Sequence, residues 1–313
     1  MAANDLQSLQ RAAEWLHNAD YVLVAAGAGI SAAAGLDYTS TDVLAQHFPT
    51  MIRYGFRNFY HFIGYHGRYC PDGKTLWSPE LKWGYLANQV TLARFKWPAP
   101  HEVYAKTLEL IRDKNYFVIS SNADGLFSRS GFDMNRIFNP QGDYSLLQCL
   151  RQCRPDAVWP SAPVLESICA TVDPTTMCCA SAMLPTCPYC GGRDVFLNVR
   201  GGDWFIEDGL HQKEAFVEWL QEACQRQQRN EDVMKKLVIL EVGVGFNTPS
   251  VLRWPMESLV QNNPHATIVR INLEHPEFKL QSIASRSVGV SMDACEAIRA
   301  LHELVSTDTE SST

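Results

Sequence analysis

The chain has 313 residues, 46% of them hydrophobic, and a formal net charge of −7. That size supports one large core or a core with a satellite module, and the acidic balance excludes a basic nucleic-acid footprint. No run approaches the roughly 20 apolar residues of a membrane span, and the start, MAANDLQSLQRAAEWL, lacks the basic-then-apolar pattern of a secretory leader, so a cytoplasmic protein is expected.

Residues 5–18 read as a helix with Leu6, Leu9, Ala13 and Leu16 on one side. YVLVAAGAGIS follows as an apolar strand that breaks into glycines, and its lack of polar alternation suits a parallel strand covered on both faces. Residues 37–98, aromatic and polar, read as helices and loops. Residues 101–113 read as a helix, NYFVIS as a buried strand and NRIF as a short third one. From 149 to 195 the composition turns to Cys, Pro, Ser and Thr. DVFLNV then reads as strand and HQKEAFVEWLQEACQRQ as helix. KLVILEVG and helical SVLRWPMESLVQ repeat the strand–loop–helix unit, with Pro255 placed in the first turn. ATIVRINLE is a further strand, MDACEAIRALHELV a closing helix, and STDTESST a polar tail expected to fray.

This alternation predicts an α/β fold: a Rossmann-like, doubly wound parallel sheet. The expected division is a first Rossmann part over 1–148, with a helical segment at 37–98 inside it. A cysteine module at 149–195 and a second Rossmann part at 196–313 follow.

Three features carry chemistry. Gly27, Gly29 and Ser31 end the first strand, where glycines allow close phosphate approach and a helix start offers free N–H groups; a merely tight turn is the plainer reading. The spacing is not a full G-x-G-x-x-G, and no acidic residue is cleanly placed about 20 residues on, which disfavours a hydride-transfer dehydrogenase. In SSNADGLF, Ser120, Ser121, Asn122 and Asp124 follow a strand at the sheet edge where open α/β sheets bind ligands, although Asn and Asp also cap turns there. Gln141, in NPQGDY, joins them only if RIF is the neighbouring strand. His47, His61, His66, His101 and His211 show no triad spacing.

Seven of the ten cysteines fall between Cys149 and Cys190. Clustering without a secretory signal points to a metal-held insert rather than disulfides. Cys149 and Cys153 with Cys187 and Cys190 suit a closed tetrahedral zinc site that stabilises its module and leaves no position for catalysis. Cys169, Cys178 or Cys179 compete for the place of Cys153, and a redox role at CPYC is the weaker alternative.

Taken in order, AAGAGIS, SSNADGLF, NPQGDY, the cysteine pairs, VGVGFNTP and INLEHP resemble the sirtuins over roughly residues 10–300. The resemblance implies NAD held between a Rossmann-like domain and a zinc module. It implies cofactor contacts at Gly27, Ala28, Gly29, Ser31, Ser121, Asn122, Asp124, Gln141, Gly243, Gly245, Asn247, Asn272 and Glu274. Two departures stand out. GLDYTS replaces the usual GIPDFR, and Gln141–Gly142 replaces the His–Gly pair whose histidine activates a ribose hydroxyl in deacylation. These features are similar to the macrodomain-linked class, and imply a protein ADP-ribosyltransferase using Asn122, Gln141 and Asp124. They also imply an acceptor protein, with a lipoylated carrier related to the glycine-cleavage H protein as one candidate, and a functional link to a macrodomain protein. An NAD-dependent deacylase and an NAD-binding or NAD-hydrolysing protein are the alternatives.

Overall fold

Strand β1 (Tyr21–Ala26) is buried along its whole length, as its unbroken apolar run requires. It lies inside a six-stranded sheet with β2 (Asn115–Ser120), β3 (Ile137–Phe138), β7 (Leu237–Val242), β8 (Ala266–Ile271) and β9 (Ser287–Val290), in the order β3-β2-β1-β7-β8-β9. Every pairing is parallel. The structure, a computed structural model, describes residues 3–63, 65–207, 210–224 and 235–310. No helix among them is long and apolar enough to cross a membrane.

Successive side chains of a strand point to opposite faces, so each strand feeds two cores. Val22, Val24 and Ala26 pack with Leu9, Leu16, Val103, Ile111, Ile298 and Leu301, from helices α1 (Ala3–His17), α7 (Glu102–Ile111) and α12 (Ala294–Glu310). Tyr21, Leu23 and Ala25 pack on the other face with Phe216, Trp219, Met256 and Val260, from α10 (Lys213–Cys224) and α11 (Arg253–Asn262). Pro255 sits in the first turn of α11, where its missing N–H leaves no helical bond unmade. Helix α12 continues to Glu310, through most of the stretch expected to fray, and residues 311–313 lie outside the described residues.

Between β1 and β2 the chain forms α2 (Ala28–Ala33), α3 (Thr41–His47), α4 (Pro49–Arg53), α5 (Tyr60–Ile63) and α6 (Pro79–Val90). Helix α6 runs on into a π-helical turn, Thr91–Lys96. After β2 comes α8 (Leu126–Arg129).

The inserted module is built on an antiparallel sheet, β5-β4-β6, of β4 (Gly142–Cys149), β5 (Val158–Pro160) and β6 (Val195–Val199), with α9 (Ala162–Cys169) beside it. This moves its expected limits outward from 149–195 to 142–199. DVFLNV, expected to begin the returning Rossmann part, pairs with β4 instead, Leu197 opposite Leu147 and Val195 opposite Cys149. Periodicity identifies a strand but not its partner. The chain leaves for the module and rejoins the domain at one place: the Arg200 N–H donates to the Gln141 carbonyl at 2.9 Å.

Candidate functional site

The strand order reverses direction at β1 and β7, whose carboxyl ends form the crevice where open α/β sheets bind ligands. There the two glycine loops press together. The Gly29 N–H donates to the Gly243 carbonyl at 2.9 Å, and the Gly27 N–H to the Val242 carbonyl at 3.0 Å. A Cβ at Gly27 would lie 2.6 Å from the Gly243 oxygen, and one at Gly29 2.6 Å from the Gly243 Cα. Gly243 itself has φ +62, a left-handed conformation that favours glycine. The glycines thus serve backbone-to-backbone packing first.

A closed hydrogen-bond network fixes the polar strand end. Asn122 Nδ2 donates to the Gly27 carbonyl at 2.9 Å and to Ser31 Oγ at 3.1 Å. The Ser31 hydroxyl donates to Asp124 Oδ2 at 2.7 Å, so the Tyr104 hydroxyl, 3.2 Å away, must donate to Ser31. Asp124 Oδ1 accepts from the Leu126 N–H at 3.0 Å. Two consequences follow. Ser31, fully buried, supports Asn122 and Asp124 from beneath. Asn122 has both amide hydrogens engaged, so the group it can offer a ligand is its oxygen, an acceptor. Burial pushes the Asp124 carboxyl up from the ordinary carboxylate range, against the pull of the Leu126 N–H and the Ser31 hydroxyl.

Gln141 occupies the hinge between β3 and β4. Gly142 makes that hinge possible: its φ is +89, and a Cβ there would lie 2.0 Å from the Asn198 carbonyl oxygen. Among the described residues, Gln141 Oε1 is buried without a hydrogen-bond partner. A cavity of about 80 Å³ opens beside the hinge, lined by Asn122, Asp124, Asn139, Gly142, Arg94 and His211 among others. Gln141 flanks it through its neighbours Asn139 and Gly142 rather than lining it. Arg94 was not picked out by the sequence, and His211 was weighed there only as one of five histidines without triad spacing. Arg94 comes from the π-helical turn, Nε donating to Asp143 Oδ1 at 2.6 Å and Nη2 to Oδ2 at 3.3 Å, and its guanidinium lies against Gly125. Such turns recur at functional sites, and this one was the signal available. His211, exposed, reaches the cavity from the loop before α10.

The other expected contacts are dispersed. Ser121 is half-buried beside β1, its Oγ 3.4 Å from the Ala26 carbonyl. Ala28 is half-buried at the start of α2, and Gly245 and Asn247 are exposed on the loop after β7. Asn272 acts as a tie: its Nδ2 donates to the Val244 carbonyl at 3.0 Å, and its Oδ1 accepts from the N–H groups of Glu274 and His275. The Glu274 side chain is exposed. Beneath these loops Glu241 and Arg270, cross-strand partners with no exposure, form a bidentate pair at 2.5 and 3.1 Å, joined by Glu257.

The sulfurs of Cys149, Cys153, Cys187 and Cys190 all lie within 4.8 Å of one another, with Cys149–Cys190 at 3.9 Å and Cys153–Cys187 at 3.7 Å. A zinc–thiolate bond of about 2.3 Å in a tetrahedron sets sulfur separations of roughly 3.8 Å, so the four fit that ion. Cys153 completes the set; Cys169 instead lies 3.6 Å from Thr91 Oγ1.

No family model matches the chain. A probable bifunctional ADP-ribose hydrolase/ADP-ribosyltransferase of Fusarium oxysporum f. sp. cubense is 37% identical over 271 residues, 85% of this chain and 42% of that relative. The chain therefore spans less than half of the fungal relative's length. A protein ADP-ribosyltransferase of Staphylococcus aureus is 26% identical over 284 residues, 89% of this chain and 82% of the relative. A solved Sir2 homologue–NAD complex matches at TM-score 0.55 and 18% identity, over 96% of this chain and 94% of its own, a likeness of fold.

Proposed function

We propose that this chain, which shares the fold of the Sir2 enzymes, is an NAD-dependent protein ADP-ribosyltransferase. It releases nicotinamide and places ADP-ribose on a partner protein. The observation that carries the reading is the pair of amide side chains at the sheet end. Asn122 has only its oxygen free, and the Gln141 oxygen is buried and unpartnered. Both suit ribose hydroxyls, which donate. NAD would supply an ADP-ribosyl group with nicotinamide as leaving group. The carboxyl ends of β2 and β8 stand three strand spacings apart, roughly 14 Å, a distance suited to a dinucleotide laid across the edge.

Breaking the bond to nicotinamide places positive charge on the ribose ring. The oxygens of Asn122, Gln141 and Asp124 would stabilise that charge. An amide takes no proton at neutral pH, so Gln141 cannot activate a ribose hydroxyl as deacylation requires. The transfer therefore ends on an external nucleophile. A lipoylated carrier related to the glycine-cleavage H protein is the proposed acceptor. The fungal relative, named for both ADP-ribose hydrolase and transferase, supports a link to a partner that removes the modification. Cys149, Cys153, Cys187 and Cys190 would hold a structural zinc ion.

One observation favours a second reading, an NAD-dependent deacylase: His211 puts an imidazole at the cavity. Incubation with labelled NAD and with lipoylated or unmodified carrier, followed by mass spectrometry, separates the two. ADP-ribose on the carrier supports transfer, and acyl-ADP-ribose from an acyl-lysine peptide supports deacylation. Gln141→Ala and Asn122→Ala are each expected to lower labelling about 100-fold with the fold intact, and labelling at the parent rate by both sinks the assignment.

A further inference from the structure

We propose that Gln148 and Asn198, two buried amides that do not line the cavity, are positioning residues for Gln141. They bolt the return loop 200–207 onto the module sheet, and the start of that loop holds the main chain around Gln141. The inference rests on the chain's being an NAD-consuming transferase and deepens that reading.

Gln148 on β4 stands opposite Phe196 on β6, so its side chain shares one face of the sheet with Phe196 and Asn198. Neither amide has any exposure. Gln148 Oε1 accepts from Asn198 Nδ2 at 2.7 Å and from the Ile206 N–H at 3.1 Å. Gln148 Nε2 donates to the Trp204 carbonyl at 2.6 Å, and Asn198 Nδ2 donates its second hydrogen to the Ile206 carbonyl at 3.0 Å. The loop backbone is thereby tied at Trp204 and Ile206 to both strands, and the Trp204 ring meets Phe196 edge-on at 6.0 Å. The arrangement has a cost: among the described residues, Asn198 Oδ1 is buried without a partner. Apolar side chains would fill this space without that cost. Hydrogen-bonded amides specify one arrangement of the loop where apolar packing tolerates several.

The returning chain in turn grips the corner. The Arg200 N–H donates to the Gln141 carbonyl at 2.9 Å, and Arg200 Nε donates to the Pro140 carbonyl at 3.3 Å. Val199 pairs with Gly142, which lies so close to the Asn198 carbonyl that a Cβ would come 2.0 Å from its oxygen. Residues 140–142 are therefore held by residues 198–200. Among the described residues no hydrogen bond aims Gln141 Oε1, so its direction depends on that main chain. A displacement of about 1 Å at a reacting centre can cost about 100-fold in rate.

The test is a double-mutant cycle on nicotinamide release from NAD in the presence of the lipoylated carrier. Gln148→Met keeps the length of the side chain and removes its hydrogen bonds. It is expected to lower kcat about tenfold, with KM for NAD within about twofold of the parent and zinc content unchanged. Combined with Gln141→Ala, it should add no further loss to that variant's own, because a group already removed cannot be mispositioned. Should Gln148→Met fail to fold, or lose zinc because Cys149 is its neighbour, Asn198→Leu carries the same cycle from the other strand. Losses that multiply in the double variant, or a parent kcat in the single one, overturn the proposal. In the parent protein the Arg200 and Ile206 amides should be protected from hydrogen exchange; free exchange at either overturns it without any variant. A parent protein that releases no nicotinamide from NAD overturns the functional reading instead, a result distinguishable from all of these.

Discussion

At the centre of the parallel sheet, β1 and β7 bury every residue, and the loops that follow them pack backbone on backbone. At the tip of the module the reverse holds. Residues 151–155 and 188–191 are exposed, and Cys153 and Cys190 among them meet the buried Cys149 and Cys187. One region is held by the burial of apolar surface, the other by ligation. The candidate site stands on the seam between them, with Asn122 and Asp124 supported by the sheet and Gln141 in the hinge that leads into the module. The difference teaches that such a site has two independent points of failure.

The largest effect should come from the ligation side. A structural zinc ion contributes on the order of 10 kcal/mol to its module. Chelation, or Cys187→Ser, is expected to abolish about one equivalent of bound zinc and to remove hydrogen-exchange protection from the segments around 149–157 and 187–195. Protection of β1, β2 and β7 should persist. Equal loss in the sheet would erase the distinction between the regions.

Gly243→Ala probes the other side. Its Cβ would lie 2.4 Å from the Gly29 Cα, at a backbone conformation that disfavours any side chain. A loss of about 3 kcal/mol in denaturant unfolding is expected, with zinc content unchanged. A variant as stable as the parent would mean that the loops are free to move apart.

The smallest effect should come from the seam itself. Arg94 ties the helical segment to Asp143, two residues beyond Gln141, through two hydrogen bonds that lysine cannot reproduce. Arg94→Lys is expected to lower kcat about tenfold, about 1.4 kcal/mol, with little change in KM for NAD. An effect on KM alone would place Arg94 in binding rather than in positioning the hinge.

Much of the sheet is legible because β1, β2, β7 and β8 are unbroken apolar runs of a length that suits buried strands. β9 escaped notice: SVGV is four residues with a glycine, too short to show a period. Glu241 and Arg270 hide within otherwise apolar strands, and only the register makes them partners. The two ends of the metal set are legible as pairs, but the choice of Cys153 over Cys169 required distances. Asn122 and Asp124 could be read from one motif because they follow one strand. Arg94 and His211 belong to two remote segments, and no local pattern announces that they share a cavity with that strand.

The hydrogen bond from the Arg200 N–H to the Gln141 carbonyl has a further meaning. Because the chain returns to the point from which it left, residues 142–199 are closed at their base, while α9 and the loop 173–179 also pack on α4 and α6. A short turn joining 141 to 200 would leave the order of the six parallel strands untouched. Such a graft point lets a lineage, or an engineer, exchange the segment, provided that the new piece also covers the face of α6. The exchange would preserve the dinucleotide-sized edge, provided that the new piece holds the glutamine at the same corner.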